Sequence, residues 1–199
     1  MSTSLNSPGA VERRAFVAQL IAAAPDALVI SGLGSPSYDV FAAGDRDQNF
    51  YLWGAMGGAA GMGLGLALAQ PERSVLVITG DGEQLMGVGT LGTIGARQPP
   101  NLTLVVLDNG HFGETGMQRS HTSLGTDLVA VARGFGIKDA FSVADTGQAG
   151  AVAERVRARR GVAFAQVFIR PDEPPRALPP RDGVHVKNRF RAALGFPTF

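Results

Sequence analysis

The run Ser74-Val75-Leu76-Val77-Ile78-Thr79-Gly80-Asp81-Gly82 identifies the fold class. A strand with one face in water alternates apolar and polar residues, but Ser74 to Thr79 is almost continuously apolar and branched. That pattern belongs to a strand buried on both faces of a parallel sheet. Elements alternate on either side of it. Upstream, Val11, Phe16, Val17, Leu20, Ile21 and Ala24 form a helical stripe that Pro25-Asp26 ends, and Ala27 to Ser31 is a short strand feeding Gly32-Leu33-Gly34-Ser35-Pro36. Ser35 caps a short helix to Ala43, and Phe50 to Trp53 extends briefly before a small-residue helix from Gly54 to Ala69. Downstream, the pattern predicts helix within Glu83 to Ala96, strand Leu102 to Leu107, helix Thr126 to Phe135, strand Ala140 to Val143, helix Gln148 to Arg160 and strand Val162 to Ile169. Strand and helix taking turns predicts an α/β fold, a mostly parallel central sheet with helices on both faces. Arg170 to Arg181 holds five prolines and reads as an extended connector to a last helix, Val184 to Leu194. Residues 1–170 are thus expected to form the α/β domain, and 171–199 a proline-rich connector and C-terminal helix packed on it.

Composition narrows the function classes. A length of 199 residues suits one domain, and 45% hydrophobic against 18% charged residues excludes a chain disordered throughout. With 18 basic and 17 acidic residues there is no electrostatic footprint for nucleic acid. The absence of cysteine excludes a disulfide framework, a thiolate zinc site and an iron–sulfur cluster held by this chain. The most apolar run, Gly54 to Ala69, has 16 residues and is too short to span a bilayer, so no membrane association is expected. Met1 to Ala10 lacks the order of a secretory signal, which makes a cytoplasmic location the expectation. The 27 glycines exceed the usual share of about 7%. Most lie between Gly32 and Gly116, where they point to tight turns or to backbone placed against a ligand.

Ligands of open parallel sheets sit beyond the carboxyl ends of the strands, and two such ends carry polar signatures: Gly80-Asp81-Gly82 and Asp108-Asn109-Gly110. The glycines let the backbone turn sharply into a helix whose free N–H groups suit a phosphate. Asp81 supplies a hard anionic oxygen and Asn109 a neutral one, a set that magnesium completes with phosphate, carbonyl and water oxygens. A lone Gly-Asp-Gly is often a plain turn. Here 26 residues separate Gly82 from Asn109, enough for one crossover helix and one returning strand, so both ends can meet at one edge of the sheet.

At this point the sequence resembles the thiamine-diphosphate-dependent enzymes, whose cofactor motif is a Gly-Asp-Gly followed some 25 to 30 residues later by Asn. Leu64-Gly65, Pro71, Leu76 and Ile78 stand at the family's spacings too, and the resemblance runs from about Ser35 to Gly136. It implies Asp81, Asn109 and the backbone carbonyl of His111 as magnesium ligands. It implies that Gly54, Ala55 and Met56 meet the cofactor's pyrimidine side, with Met56 as the wedge that bends thiamine diphosphate. Gly80, Gly82 and Glu83, together with His111, Phe112, Gly113, Glu114 and Thr115, would surround the diphosphate. Glu83 departs from the family's small residue, and a carboxylate beside a diphosphate is unfavourable unless it points away.

Full-length members carry a second domain whose glutamate activates the pyrimidine ring, and this chain lacks room for it. The implied protein is therefore the diphosphate-binding half of a split carboxy-lyase in a hetero-oligomer, with a pyrimidine-binding alpha subunit supplying the glutamate. Asn49-Phe50-Tyr51, Thr115-Gly116-Met117-Gln118 and Val186-Lys187-Asn188-Arg189-Phe190 look like sulfopyruvate decarboxylase beta subunits and phosphonopyruvate decarboxylases. The implied substrate is a 2-oxo acid with a second anionic group, decarboxylated to an aldehyde. His111, Gln118, Arg119 and His121, just past the metal loop, are the candidate catalytic and substrate-pocket residues, and the bland alternative for Arg119 and His121 is an ordinary loop. Gly57, Gly61 and Gly65 read as close helix packing or as part of a subunit interface.

Four rivals remain. A dinucleotide-binding unit fails on its fingerprint, because Gly61-Met62-Gly63 lies inside the expected helix and position 66 is leucine. The beta subunit of a thiamine-diphosphate-dependent 2-oxo acid oxidoreductase would lean on cluster cysteines, here or in a partner. An acetolactate-synthase-like lyase would keep the cofactor and form a condensation product. A non-catalytic cofactor-binding protein would keep the site and lack turnover.

Overall fold

The computed structural model describes residues 11–198. The opening stretch Met1 to Ala10 lies outside the described residues. The chain runs through α1 (Arg13–Ala23), β1 (Leu28–Ser31), α2 (Ser35–Ala42), β2 (Asn49–Tyr51), α3 (Ala59–Ala69), β3 (Val75–Gly80), α4 (Asp81–Met86) and α5 (Gly89–Arg97). It continues through β4 (Leu102–Asp108), β5 (His111–Phe112), β6 (Gln118–Arg119), α6 (Leu128–Gly134), β7 (Asp139–Val143), α7 (Ala149–Ala158), β8 (Ala163–Phe168) and α8 (Gly183–Ala193). Six strands form one parallel sheet in the order β2-β1-β3-β4-β8-β7, while β5 and β6 make a separate antiparallel hairpin.

Burial on both sides follows from the alternation of side chains along each strand. Leu76 and Ile78 of β3 and Val105 and Leu107 of β4 face a core built with α1, α2 and α7. Val75 and Val77, with Leu102, Leu104 and Val106, face a second core built with α3, α5, α6 and α8. All six β3 residues but the last are buried, as the apolar run requires.

Four features differ from the sequence expectation. Ser35 does not cap α2: it is the first residue of the helix, Gly34 is the cap, and no side chain there makes a capping bond. The helix expected from Gly54 starts at Ala59, because Gly54 and Gly57 take positive φ values of 84° and 89°, which a right-handed helix does not admit. The single helix expected between Glu83 and Ala96 is two, broken at Gly87 and Val88. That break brings the chain against the Gly57 turn so closely that a Cβ at Gly87 would stand 2.1 Å from the Gly57 carbonyl oxygen. The hairpin at 111–119 has no periodic signal in the sequence that would predict its strands. At the other end of the chain, the connector is anchored by Trp53 Nε1 donating to the Pro180 carbonyl at 2.9 Å. The last helix is held by Phe190 edge-on to Phe50 and by Arg189 paired with Asp45 at 2.6 Å.

Candidate functional site

From β1 the chain steps to one side of the sheet, to β2, and from β3 it proceeds to the other, toward β4 and β8. Such a reversal opens a crevice at the carboxyl ends of the flanking strands. A cleft of about 280 Å³ lies there. It is lined by the turn after β1 (Leu33, Ser35, Pro36), the turn after β3 (Gly80 to Glu83), the segment after β4 (Asn109 to Thr115, except Gly110), and Ile169 after β8. Register explains the convergence. Gly80 pairs with Leu107, so Asp81 and Asp108 emerge side by side from strands about 4.8 Å apart, with Gly82 and Asn109 one residue further out.

Asp81 is 2% exposed and opens α4 directly from Gly80, whose φ of −99° is ordinary extended backbone. Glycine at 82 answers to space instead: an added Cβ would stand 2.5 Å from the Phe112 ring. Ser120 Oγ donates to Asp81 Oδ2, and Thr122 Oγ1 lies 3.2 Å from that oxygen and 2.8 Å from Asp108 Oδ1. Gln166 Nε2 donates to Asp108 Oδ2 at 2.7 Å. One threonine proton cannot serve two carboxylates at once. Burial first, and the neighbouring Asp108 charge second, push the Asp81 carboxyl up to about 6. Asn109 Oδ1 accepts from the His111 N–H at 2.9 Å, and His111 Nδ1 lies 2.7 Å from the Asn109 carbonyl, so the two residues brace each other.

Of the residues marked by sequence, Met56, Gly80, Asp81, Gly82, Glu83, Asn109, His111, Phe112, Gly113, Glu114 and Thr115 line this one cleft. Gly54 and Ala55 lead into Met56 but do not line it. Nothing lies within 4 Å of a Cβ built on Gly54, which leaves its backbone open on that side. Glu83 turns inward: Thr79 Oγ1 donates to Glu83 Oε2 at 2.6 Å, and the carboxylate fills the space over Gly32. Burial raises its pKa, and hydrogen bonds from Thr79 and from the backbone of Leu33, Gly57 and Gly80 offset part of that rise. Gln118, Arg119 and His121 stand outside the lining. Gln118 is held by Thr115, Arg119 Nε donates to Ser123 Oγ at 3.2 Å, and His121 sits edge-on to Phe112. Sequence reasoning missed Arg13, Leu33, Ser35, Pro36 and the Ser120–Thr122–Gln166 support of the aspartates. The Gly32-Leu33-Gly34-Ser35 turn was visible as a strand-to-helix corner, whereas nothing near Arg13 or Gln166 signalled a site.

The profile of the thiamine pyrophosphate enzyme C-terminal TPP binding domain matches residues 38–167. The chain belongs to the thiamine pyrophosphate enzyme family. Within it, this chain is 36% identical over 180 residues to sulfopyruvate decarboxylase subunit beta of Methanothermobacter thermautotrophicus, covering 90% of this chain and 94% of that one. It is 39% identical over 191 residues to phosphonopyruvate decarboxylase of Streptomyces viridochromogenes, covering 93% of this chain and 47% of that one. The chain spans about half the length of several curated relatives that it matches. Among solved structures, the thiamine diphosphate-dependent 4-hydroxybenzoylformate decarboxylase of Rhodococcus jostii RHA1 superposes with a TM-score of 0.69 at 21% identity, over 87% of this chain and 35% of that one. That likeness is one of fold. No helix among the described residues is long and apolar enough to cross a membrane.

Proposed function

We propose that this chain is the diphosphate-binding subunit of a split thiamine-diphosphate-dependent carboxy-lyase that converts a sulfopyruvate- or phosphonopyruvate-like 2-oxo acid to an aldehyde. The observation that carries the reading is the convergence of Asp81 and Asn109, from adjacent strand ends, on one cleft with Met56 and the 111–115 loop. Among the described residues no three acidic or histidine side chains form a cation cage. A cation at Asp81 would therefore depend on the Asn109 amide, the His111 carbonyl and phosphate oxygens to complete its shell, which suits magnesium arriving with a diphosphate. Thiamine diphosphate, when bound, supplies an electron sink for the charge left by departing carbon dioxide.

This chain's residues have the remaining work. Asp81 and Asn109 hold the cation, and the 111–115 segment encloses the phosphates. Met56 and Met86 add apolar side chains to the lining of the cleft. Arg119 and His121, standing outside the cleft lining, would meet only the distal acid group of a substrate that reaches them. Two features support a partner subunit. The chain aligns with nearly all of a beta subunit but with half of a phosphonopyruvate decarboxylase. In addition, Met62 and Leu68 of α3 and Met86 of α4 are exposed at 39%, 50% and 61%, apolar side chains that a partner subunit would cover. The test is an assay of the chain alone and after mixing with a pyrimidine-binding subunit. Decarboxylation of sulfonated or phosphonated 2-oxo acids should appear only on mixing, and full turnover by the chain alone would refute the split.

A further inference from the structure

Arg13 stands at the start of α1, ahead of the residues that match the family profile, and it belongs to no motif. It is 4% exposed. Its Nε lies 3.3 Å from Asp39 Oδ2 but is not aligned for a hydrogen bond and has no other partner. The neighbouring arginine carries the structural load: Arg14 Nε donates to Asp39 Oδ1 at 3.2 Å, and its Nη2 donates to the Pro175 carbonyl of the connector. Arg13 instead lines both the cofactor cleft and an adjoining cavity of about 240 Å³ beside the connector. The two cavities share Ser35, Asn109, Gly113 and Glu114, whereas Met56 lines the first alone. Arg13 therefore belongs to the metal-loop end of the cleft.

Charge supplies the second observation. Of the lining's acidic side chains, Glu83 turns inward and Glu114 pairs with Arg176 at 3.6 Å, which leaves Asp81 facing the cleft, and among the described residues Arg13 is the lining's one arginine or lysine. A diphosphate escorted by a single divalent cation still brings negative charge into this cleft. A buried guanidinium already placed there costs no reorganisation and presents the fork geometry that phosphate oxygens accept.

We propose that Arg13 binds the terminal phosphate of the cofactor, with Asp39 fixing its orientation; this rests on the cofactor reading above. The test is calorimetric titration of the full-length chain, purified with whatever subunits accompany it, using thiamine diphosphate and separately thiamine monophosphate in the presence of magnesium. Arg13→Met should weaken the diphosphate by about tenfold or more while moving the monophosphate by less than about twofold. Arg13→Lys, which keeps a cation beside Asp39, should give an intermediate loss confined to the diphosphate. Equal weakening of both ligands in the two variants, or an unchanged preference for the diphosphate, would overturn the proposal. Failure of the unsubstituted protein to bind either thiamine ester would instead defeat the cofactor reading, and this inference with it.

Discussion

At Asp81, the proposed cation ligand, stability and the proposed function pull in opposite directions. Its carboxyl is buried beside Asp108 and is pushed up to about 6, against an ordinary value of 3.8. Between those values the folded chain holds a proton that the unfolded chain has lost. The stability associated with this group is therefore fully present below about pH 4 and is lost as pH rises through about 6. Asp81→Asn removes the ionisation and keeps an oxygen for Ser120. It should raise the stability of the cofactor-free chain by about 1 to 3 kcal/mol at pH 7, with the gain vanishing near pH 4. Urea titrations at the two pH values check this, and an equal effect at both would contradict the assignment. Asp81 and Asn109 were legible as candidate ligands because the proposed chemistry calls for those residue types at strand ends one crossover apart. Thr122 and Gln166, which hold the aspartates, were not legible: Gln166 lies inside an otherwise apolar strand and Thr122 opens a single 3-10 turn, and only the fold brings them within hydrogen-bond reach. Arg13 was hidden for the same reason, since its environment comes from α2 and from a connector more than a hundred residues away.

At the scale of elements, the apolar runs revealed the parallel strands, whereas glycine-rich segments concealed where helices begin. The sequence pattern left Gly57, Gly61 and Gly65 to close helix packing or to a subunit interface. In the structure Gly57 does pack closely, with a Cβ there standing 3.1 Å from the Gly87 nitrogen, but Gly61 and Gly65 face outward on α3. Gly63 is the helix residue pressed on the sheet, since its added Cβ would stand 2.2 Å from Val77 Cγ2, whereas nothing lies within 4 Å of one at Gly65. Composition alone cannot separate the two, because the whole helix consists of Ala, Gly, Leu and Met. Gly63→Ala should cost about 1 to 3 kcal/mol through overpacking and lower Tm by several degrees. Gly65→Ala should stabilise the isolated chain by about 0.5 to 1 kcal/mol through the better helix propensity of alanine. Differential scanning calorimetry of both variants decides, and equal shifts would show that α3 does not seat on β3 as described.

At the scale of the whole molecule, the alternating pattern was enough to predict a parallel sheet covered on both faces, because every buried strand needs helices on each side. The strand order, and with it the crevice at β1 and β3, was not legible, since parallel strands give no local signal of their neighbours. Asp81 and Asn109 nevertheless had to meet, because their two strands are consecutive and adjacent. The same architecture places Leu33, Ser35 and Ile169 around them without any motif. All of this converges on one claim, that the cleft grips a divalent cation and a diphosphate together. The most direct measurement is calorimetric titration of thiamine diphosphate into the full chain and into Asp81→Ala, with magnesium and with excess chelator. Binding should be abolished by the chelator and lost in Asp81→Ala even with magnesium; unchanged affinity in Asp81→Ala would overturn the claim.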